Sequence, residues 1–370
     1  MNERQLAIIA LNLIIELIPK KIISLTEYFG SAENIFTADK KEIKNIAGIA
    51  DEAAENIKKS ADFKAAEREA KLAEENGIKI ITYLDDDYPE PLKSIVDYPP
   101  VIYMKGNYDK QDKYSVSVVG SRHPTNYGRL VTSKFCKYFA ENNITTISGL
   151  ASGIDTQTHV STLENGGKTI AVLGNGLLDY YPKENKKLQN EIYQKGAVIS
   201  EFPLHQRPDK INFPRRNRIV AALSKATLVT EAALKSGSLI TADLAAEYGK
   251  DVFAVPGPLY AKYSEGPNSL IKNGAFVALK PEDISEQSFS MFDFMADMRK
   301  QRNKKKEKKL SDNKDGLKVL KIIKSSFNGV SLDEISAAAE IPVADLSSVL
   351  LELELDGFIK EMPGQTYINV

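Results

Sequence analysis

Apolar residues follow three different rhythms along this chain. From the N-terminus to about residue 75 they recur at helical spacing between short polar breaks, so this stretch reads as a set of small helices. Its most apolar run, "LAIIALNLIIELI", contains Asn12 and Glu16, is too short to span a bilayer and has no small-residue cleavage site, so it reads as a buried helix rather than a signal peptide. From residue 78 to about 280, short β-rich runs alternate with helical stretches, the pattern of a parallel α/β sheet. Nine strands are expected, at "IKIITYL", "PPVIYM", "YSVSVVG", "ITTIS", "KTIAVLG", "GAVISEF", "ATLVTEA", "KDVFAVPG" and "AFVAL"; their character suits strands covered on both faces. The pattern lapses over 286–315, an expected linker, and resumes from 316 as helix–turn–helix periodicity with a glycine turn and a β-like end. The expected division is 1–75 helical, 76–287 α/β, 288–315 linker and 316–370 a small winged helix.

Composition narrows the chemistry. The 370 residues are 42% hydrophobic and 27% charged, ordinary for a soluble globular chain. The single Cys136 excludes an internal disulfide framework. Three scattered histidines leave no zinc-spaced cluster, and a reducing cytoplasm is the simplest setting. The net charge of −1 hides an uneven distribution. Cations gather at 205–218 and in "RKQRNKKKEKK" (299–309), which reads as a solvated spacer or as a source of weak electrostatic affinity for a polyanion. The segment 330–370 is acidic.

Glycine-rich turns follow four of the expected strands. They hold Gly120, Ser121 and Arg122; Gly149 and Gly153; Gly174, Gly176 and Lys183; and Ser236, Gly237, Ser238 and Thr241. In open α/β sheets ligands sit outside the carboxyl ends of the strands, and a turn running into a helix points free N–H groups at an anion. Four such turns near Arg122, Lys183 and the "FPRRNR" arginines predict a phosphate-binding groove. Arginine suits bidentate phosphate contacts. Tyr127, Tyr180, Tyr181, Phe202 and Phe213 border these cations. Each can be a core residue, but aromatics among cations are also what a single strand needs, because bases stack at about 1–3 kcal/mol each.

Nucleotide and catalytic signatures fail. In "GNGLLD", Asp179 stands where a dinucleotide fingerprint has its third glycine. In "NGGKT" the lysine leads into a strand and Thr162 replaces the first P-loop glycine. His123, His159 and His205 are far apart in sequence. Asp155 is expected to cap a helix, and Glu201 and Glu231 to partner the groove's cations. Ser121 and Ser238 lack an evident base. "NIAGIADEAAENI" (45–57) reads either as a helix-hairpin-helix phosphate element, with Ala50 where a second glycine is common, or as plain helical packing.

"VVGSR", "SGLASGIDTQTH", "GNGLLDYYPKEN", "NFPRRNRIVAALS", "EAALKSGSLITA", "VFAVPG" and "SEGPNSLIKNGA" together resemble, in order over about residues 80–280, the motifs of the DNA-processing protein A (DprA, or Smf) family. The resemblance implies an extended Rossmann-like domain with a parallel or mixed sheet, flanked by an N-terminal helical (SAM/helix-hairpin-helix-like) domain and a C-terminal winged helix. It implies single-stranded DNA binding without catalysis or cofactor, loading of the recombinase RecA during natural transformation (competence), and a homodimer formed through the Rossmann-like domain. Arg122 and Lys183 carry over as DNA contacts. Arg215, Asn217 and Arg218 are placed in the same groove with Phe213, Gly120, Ser121, Gly149, Gly153, Gly174, Ser236, Gly237 and Ser238. The winged helix's second helix, "VADLSSVLLELELDGF", carries Asp345, Glu352, Glu354 and Asp356 and is read as a protein-contact module rather than a duplex reader. The rival reading is a nucleotide-processing enzyme of the phosphoribohydrolase kind. Against it, "KSGSLITAD" lacks the first glycine pair of "PGGxGTxxE" and places Asp243 near the glutamate position.

Overall fold

A computed structural model describes residues 1–46, 48–290, 294, 313–326, 329–355 and 358–369. The basic run 299–309, most of the expected linker, Asp356 and the glycine at 357 lie outside the described residues. The chain forms two compact units, 1–291 and 292–370.

In the larger unit six helices come first: α1 (Glu3–Asn12), α2 (Pro19–Phe29), α3 (Ala32–Thr37), α4 (Lys40–Asn45), α5 (Asp51–Lys59) and α6 (Lys64–Glu75). Of the run expected as one buried helix, Leu6–Asn12 belong to α1, with Ile8, Ile9 and Leu11 fully buried; the helix ends at Asn12, and the remainder is a turn in which Ile15 is 89% exposed. Between α4 and α5, Gly48 takes φ +83°. The first turn of α5 carries Asp51 and Glu52, and Asp51 pairs with Lys44 at 2.9 Å. Its own carboxylates thus occupy the anion position of that helix terminus. This favours the packing reading of the hairpin.

All nine expected strands form: β1 (Lys79–Thr82), β2 (Val101–Gly106), β3 (Ser115–Val119), β4 (Thr145–Ser148), β5 (Thr169–Val172), β6 (Ala197–Ser200), β7 (Ala226–Val229), β8 (Asp251–Ala254) and β9 (Phe276–Val277). They make one sheet in the order β1-β2-β6-β5-β4-β3-β7-β8-β9. β3 to β9 pair in parallel, for example Val116 with Ala226 across β3 and β7, whereas β2 runs antiparallel to both β1 and β6. The sheet is therefore mixed. Strands β3 to β7 are buried along their whole length, whereas both residues of edge strand β9, Phe276 and Val277, are 42% exposed. Helices α7 (Asn126–Glu141), α8 (Ile154–Glu164), α9 (Lys186–Lys195), α10 (Asn212–Leu223), α11 (Gly237–Glu247), α12 (Glu265–Lys272) and α13 (Glu282–Ser288) complete the unit.

One hydrophobic cluster joins the N-terminal helices to the sheet, with Ile8, Leu11 and Ala66 packed in the same core as Val101, Tyr103 and Val198. A second cluster lies under α10 and α11 and includes Val119, Ile147, Ile219 and Ala242. From β3 the chain winds outward through β4, β5 and β6, then returns to place β7 on the other side of β3. The strand order reverses there, which opens a crevice at the carboxyl ends.

Among its described residues the smaller unit has the helices Lys314–Lys324, Leu332–Ala339 and Val343–Leu355, and an antiparallel sheet β10 (Val330–Ser331), β12 (Thr366–Asn369) and β11 (Ile359–Met362), in that order. Its core holds Val319, Ile323, Ile335, Leu346, Leu350, Ile359 and Tyr367. This is the expected winged helix.

Candidate nucleic-acid interface

A cleft of about 630 Å³ opens at this crevice. Nine of the residues expected in the DNA groove line it: Gly120, Ser121 and Arg122 after β3, Gly149 after β4, Phe213 and Asn217 on α10, and Ser236, Gly237 and Ser238 at the start of α11; Asp155, Tyr181 and Thr241 line it as well. Gly174, after β5, joins through a small adjoining cavity that it shares with Arg122, Gly149, Tyr181 and Phe213. Arg122 is exposed, and its guanidinium lies 5.7 Å from the Phe213 ring. That ring meets Tyr181 at 5.3 Å between centroids, so a cation and two aromatics are contiguous. Lys183 is exposed one residue beyond Pro182, which lines the small cavity. Its short turn is tied to the Gly149–Ser152 loop by Asn185, which donates to the Leu150 carbonyl at 2.9 Å, and by the Ser152 hydroxyl, which donates to Glu184 at 3.1 Å.

The turn glycines are required mainly by close packing. A Cβ on Gly174 would meet the Phe213 ring at 2.7 Å, and one on Gly149 would meet the Arg216 guanidinium at 2.2 Å. Gly153 does not line the cleft; with φ +89° it packs against the backbone of Ser121 and Arg122. Gly237 differs, with open space where its Cβ would be, so backbone there stays accessible to a ligand.

Helical geometry divides the arginine cluster. Phe213, Arg216, Asn217 and Val220 follow i, i+3, i+4, i+7 spacing on α10, and all four line the cleft. Arg215 and Arg218 project from another face toward Glu201. Arg218 is buried, donating to Glu201 at 2.6 Å and pairing with Asp97 at 3.1 Å. Arg215 lies 3.6 Å from the same carboxylate and stacks over Phe202 at 5.5 Å. The structure thus separates both from the cleft, Arg218 as a neutralised core residue. Glu201 is the cation partner expected, but its cations are not those of the cleft.

Arg216, expected only as one of the "FPRRNR" arginines and not as a named contact, is the one of the three that lines the cleft. It is 4% exposed, and its Nη1 donates to the carbonyls of Gly149, at 2.5 Å, and Val172, at the ends of β4 and β5. Burial lowers its pKa to about 10, with Asp155 opposing and Arg122 adding to that shift. It stays charged at neutral pH. Asp155 is not a helix cap: the cap of α8 is Gly153, and the Asp155 carboxylate accepts from the N–H groups of Gly149, at 3.1 Å, and Ala151. Burial pushes its pKa up, against the pull of Arg216 and these donors. Glu231 anchors α7 by accepting from the Thr125 N–H at 2.8 Å and hydroxyl at 2.5 Å. Like Glu201, and unlike Asp155, it is absent from the cleft wall. Two exposed lysines not expected from sequence also line the cleft, Lys210 just before "NFPRRNR" and Lys235 within "EAALKSGSLITA". A helical-phase count on "NFPRRNRIV" would have singled out Arg216; the lysines carry no comparable signal.

His159 is fully buried; its Nδ1 meets the Thr169 hydroxyl at 2.7 Å, and burial lowers its pKa to about 3. The Ser236 and Ser238 hydroxyls bond each other at 2.7 Å. No three metal-ligating side chains cluster among the described residues, and no helix among them is long and apolar enough to cross a membrane.

Residues 79–289 match the family described as DNA recombination-mediator protein A, and residues 304–365 match the DprA winged helix domain. Protein Smf of Escherichia coli (strain K12) is 39% identical over 280 residues, covering 75% of this chain and 74% of that protein. DNA processing protein A of Streptococcus pneumoniae superposes with a TM-score of 0.69 at 36% identity, over 78% of this chain and 99% of that one. DNA processing protein A of Helicobacter pylori, described for its unique single-stranded DNA binding mode, matches with a TM-score of 0.51 at 30% identity, over 56% of this chain and 93% of that one. From its ordered motifs, its mixed sheet and its winged helix, the chain belongs to the DNA recombination-mediator protein A family.

Proposed function

We propose that this protein binds single-stranded DNA without catalysis and acts as a recombination mediator, loading RecA onto incoming strands in the cytoplasm during natural transformation. The observation that carries this reading is the cleft at the strand-order reversal. Arg122, Lys210 and Lys235 line it, the N-terminus of α11 opens into it, and Phe213 and Tyr181 offer ring faces beside it. Cations can track a phosphate backbone while rings stack bases, with no demand for one sequence. Lys183 extends the same rim, and Gly120, Ser121, Gly149, Gly174, Asn217 and Ser236–Ser238 shape its wall. The kinship with the H. pylori protein supports the choice of ligand.

Binding without chemistry fits the carboxylates, because Asp155, Glu201 and Glu231 are each engaged by backbone donors, hydroxyls or arginines of the fold. A homodimer through the Rossmann-like unit is part of the proposal. Edge strand β9, with Phe276 and Val277 half-exposed and Leu279 76% exposed, is an apolar edge suited to a second copy.

The test is titration of unstructured oligonucleotides over a range of salt concentrations, followed by RecA loading. Affinity should fall with salt with a logarithmic slope of about −0.7 per phosphate neutralised. Arg122→Ala should weaken binding about tenfold or more and flatten that slope by roughly one phosphate. Hydrolysis of AMP-like nucleotides without oligonucleotide binding would overturn the reading in favour of the enzyme.

A further inference from the structure

A cavity of about 1050 Å³ lies at the opposite end of the strands from the cleft. The segments entering β3, β7 and β8 border it, as do β1, β2 and the 86–94 loop. Nothing in the proposed role of the cleft uses it.

Five lysines line it, Lys79, Lys93, Lys113, Lys225 and Lys250, and the last two enter it side by side from neighbouring strands. Lys225 precedes β7 and Lys250 precedes β8, and these strands are neighbours. Neither lysine has a carboxylate within ion-pair distance among the described residues. Lys250 is half-buried, and its pKa is lowered first by burial and then by the charge of Lys225. The carbonyl end of α10 favours one cation at Lys225. It leaves the second, half-buried cation beside it unexplained. Two adjacent uncompensated cations repel, and a dianion between them reverses the sign of that interaction.

The remaining wall is of another kind. Tyr88 is buried, with its hydroxyl donating to the Pro99 carbonyl at 2.8 Å, and Tyr108 is half-buried. With Met104 and Leu223 they give the cavity a largely apolar, ring-bearing side. Four carboxylates also line it, exposed Asp86, Asp87 and Glu90 along the 86–94 loop and Asp109 beyond β2, where they can accept from sugar hydroxyls or amino groups. A volume at the upper end of the roughly 300–1,000 Å³ typical of small-molecule sites leaves room for such a ligand.

We propose that this cavity binds a nucleoside phosphate, with Lys225 and Lys250 holding the phosphate and the tyrosine-bearing wall holding the base. The ligand can be a free nucleotide or the phosphorylated end of a strand.

Calorimetric titration of the full chain with AMP, and with a short 5′-phosphorylated oligonucleotide in the Arg122→Ala background, tests this. AMP should bind saturably. Lys225→Met with Lys250→Met should weaken it at least about tenfold, as expected when a dianion loses both cations. Arg122→Ala should leave AMP binding unchanged. Competition between oligonucleotide and AMP identifies the strand end as ligand; AMP binding without competition identifies the free nucleotide. Should the double variant unfold, Lys250 in the wild-type chain, followed by NMR of labelled lysine, should titrate at higher pH when AMP is present. No saturable AMP binding up to about 10 mM (the millimolar limit of weak recognition), binding indifferent to both lysines, or an unmoved Lys250 titration overturns the proposal. Failure here leaves the cleft's oligonucleotide binding intact, so the two readings fail separately.

Discussion

Arg216 and Arg122 lie close together and should behave in opposite ways when removed. Arg216 is buried, bonded to two strand-end carbonyls and close to the buried Asp155. Arg216→Met leaves those carbonyls and that carboxyl without the cation, at a cost of about 3–5 kcal/mol in denaturant unfolding. Arg122 is exposed, and Arg122→Ala should change stability by less than about 0.5 kcal/mol while weakening DNA binding. His159 gives a pH signature. Burial holds its ring neutral down to about pH 3, whereas in the unfolded chain it protonates near the ordinary histidine value of 6.5. Between these values the unfolded state binds the extra proton, so stability falls on acidification. The slope from this ring approaches about 1.4 kcal/mol per pH unit. His159→Gln should flatten the acid limb of the stability profile by that amount.

The elements were more legible than their pairings. Each expected strand formed, because β-branched runs bounded by glycine turns leave the backbone little alternative when both faces are covered. The antiparallel insertion of β2 beside β6 was not legible, since nothing local in "PPVIYM" names a partner more than ninety residues away. The turns were placed correctly, but the reason for their glycines was not readable. Side chains arriving from α10 exclude a Cβ at Gly149 and Gly174, and only three dimensions bring them there. The helix Val343–Leu355 keeps Leu346, Leu350 and Leu353 inside and leaves Leu351 58% and Leu355 79% exposed, beside Asp345 and Glu352. Such a face repels phosphate and suits a protein partner. Deleting 313–370 should therefore change oligonucleotide affinity by less than about twofold in a salt-controlled titration.

At the scale of the whole molecule, the two compact units should unfold as separate cooperative transitions in calorimetry. The N-terminal helices belong energetically with the sheet, since Ile8, Leu11 and Ala66 share a core with Tyr103 and Val198. A chain begun at residue 76 exposes that surface and should lose the larger unit's transition rather than behave as a trimmed but intact domain. The sequence marked a change of rhythm near residue 75. It carried no sign that the two rhythms pack into a common interior, because that contact joins residues far apart along the chain.

On α10 one residue corresponds to a turn of about 100°. The order of "FPRRNR" is therefore a rotational setting. Inserting a single residue after Pro214 would swing the cation under the cleft away from its carbonyls and carry the Glu201 partners out of their pocket, with the composition of the motif almost unchanged. What this helix preserves is a phase, and three arginines that look interchangeable in the linear sequence are three separate settings of one dial.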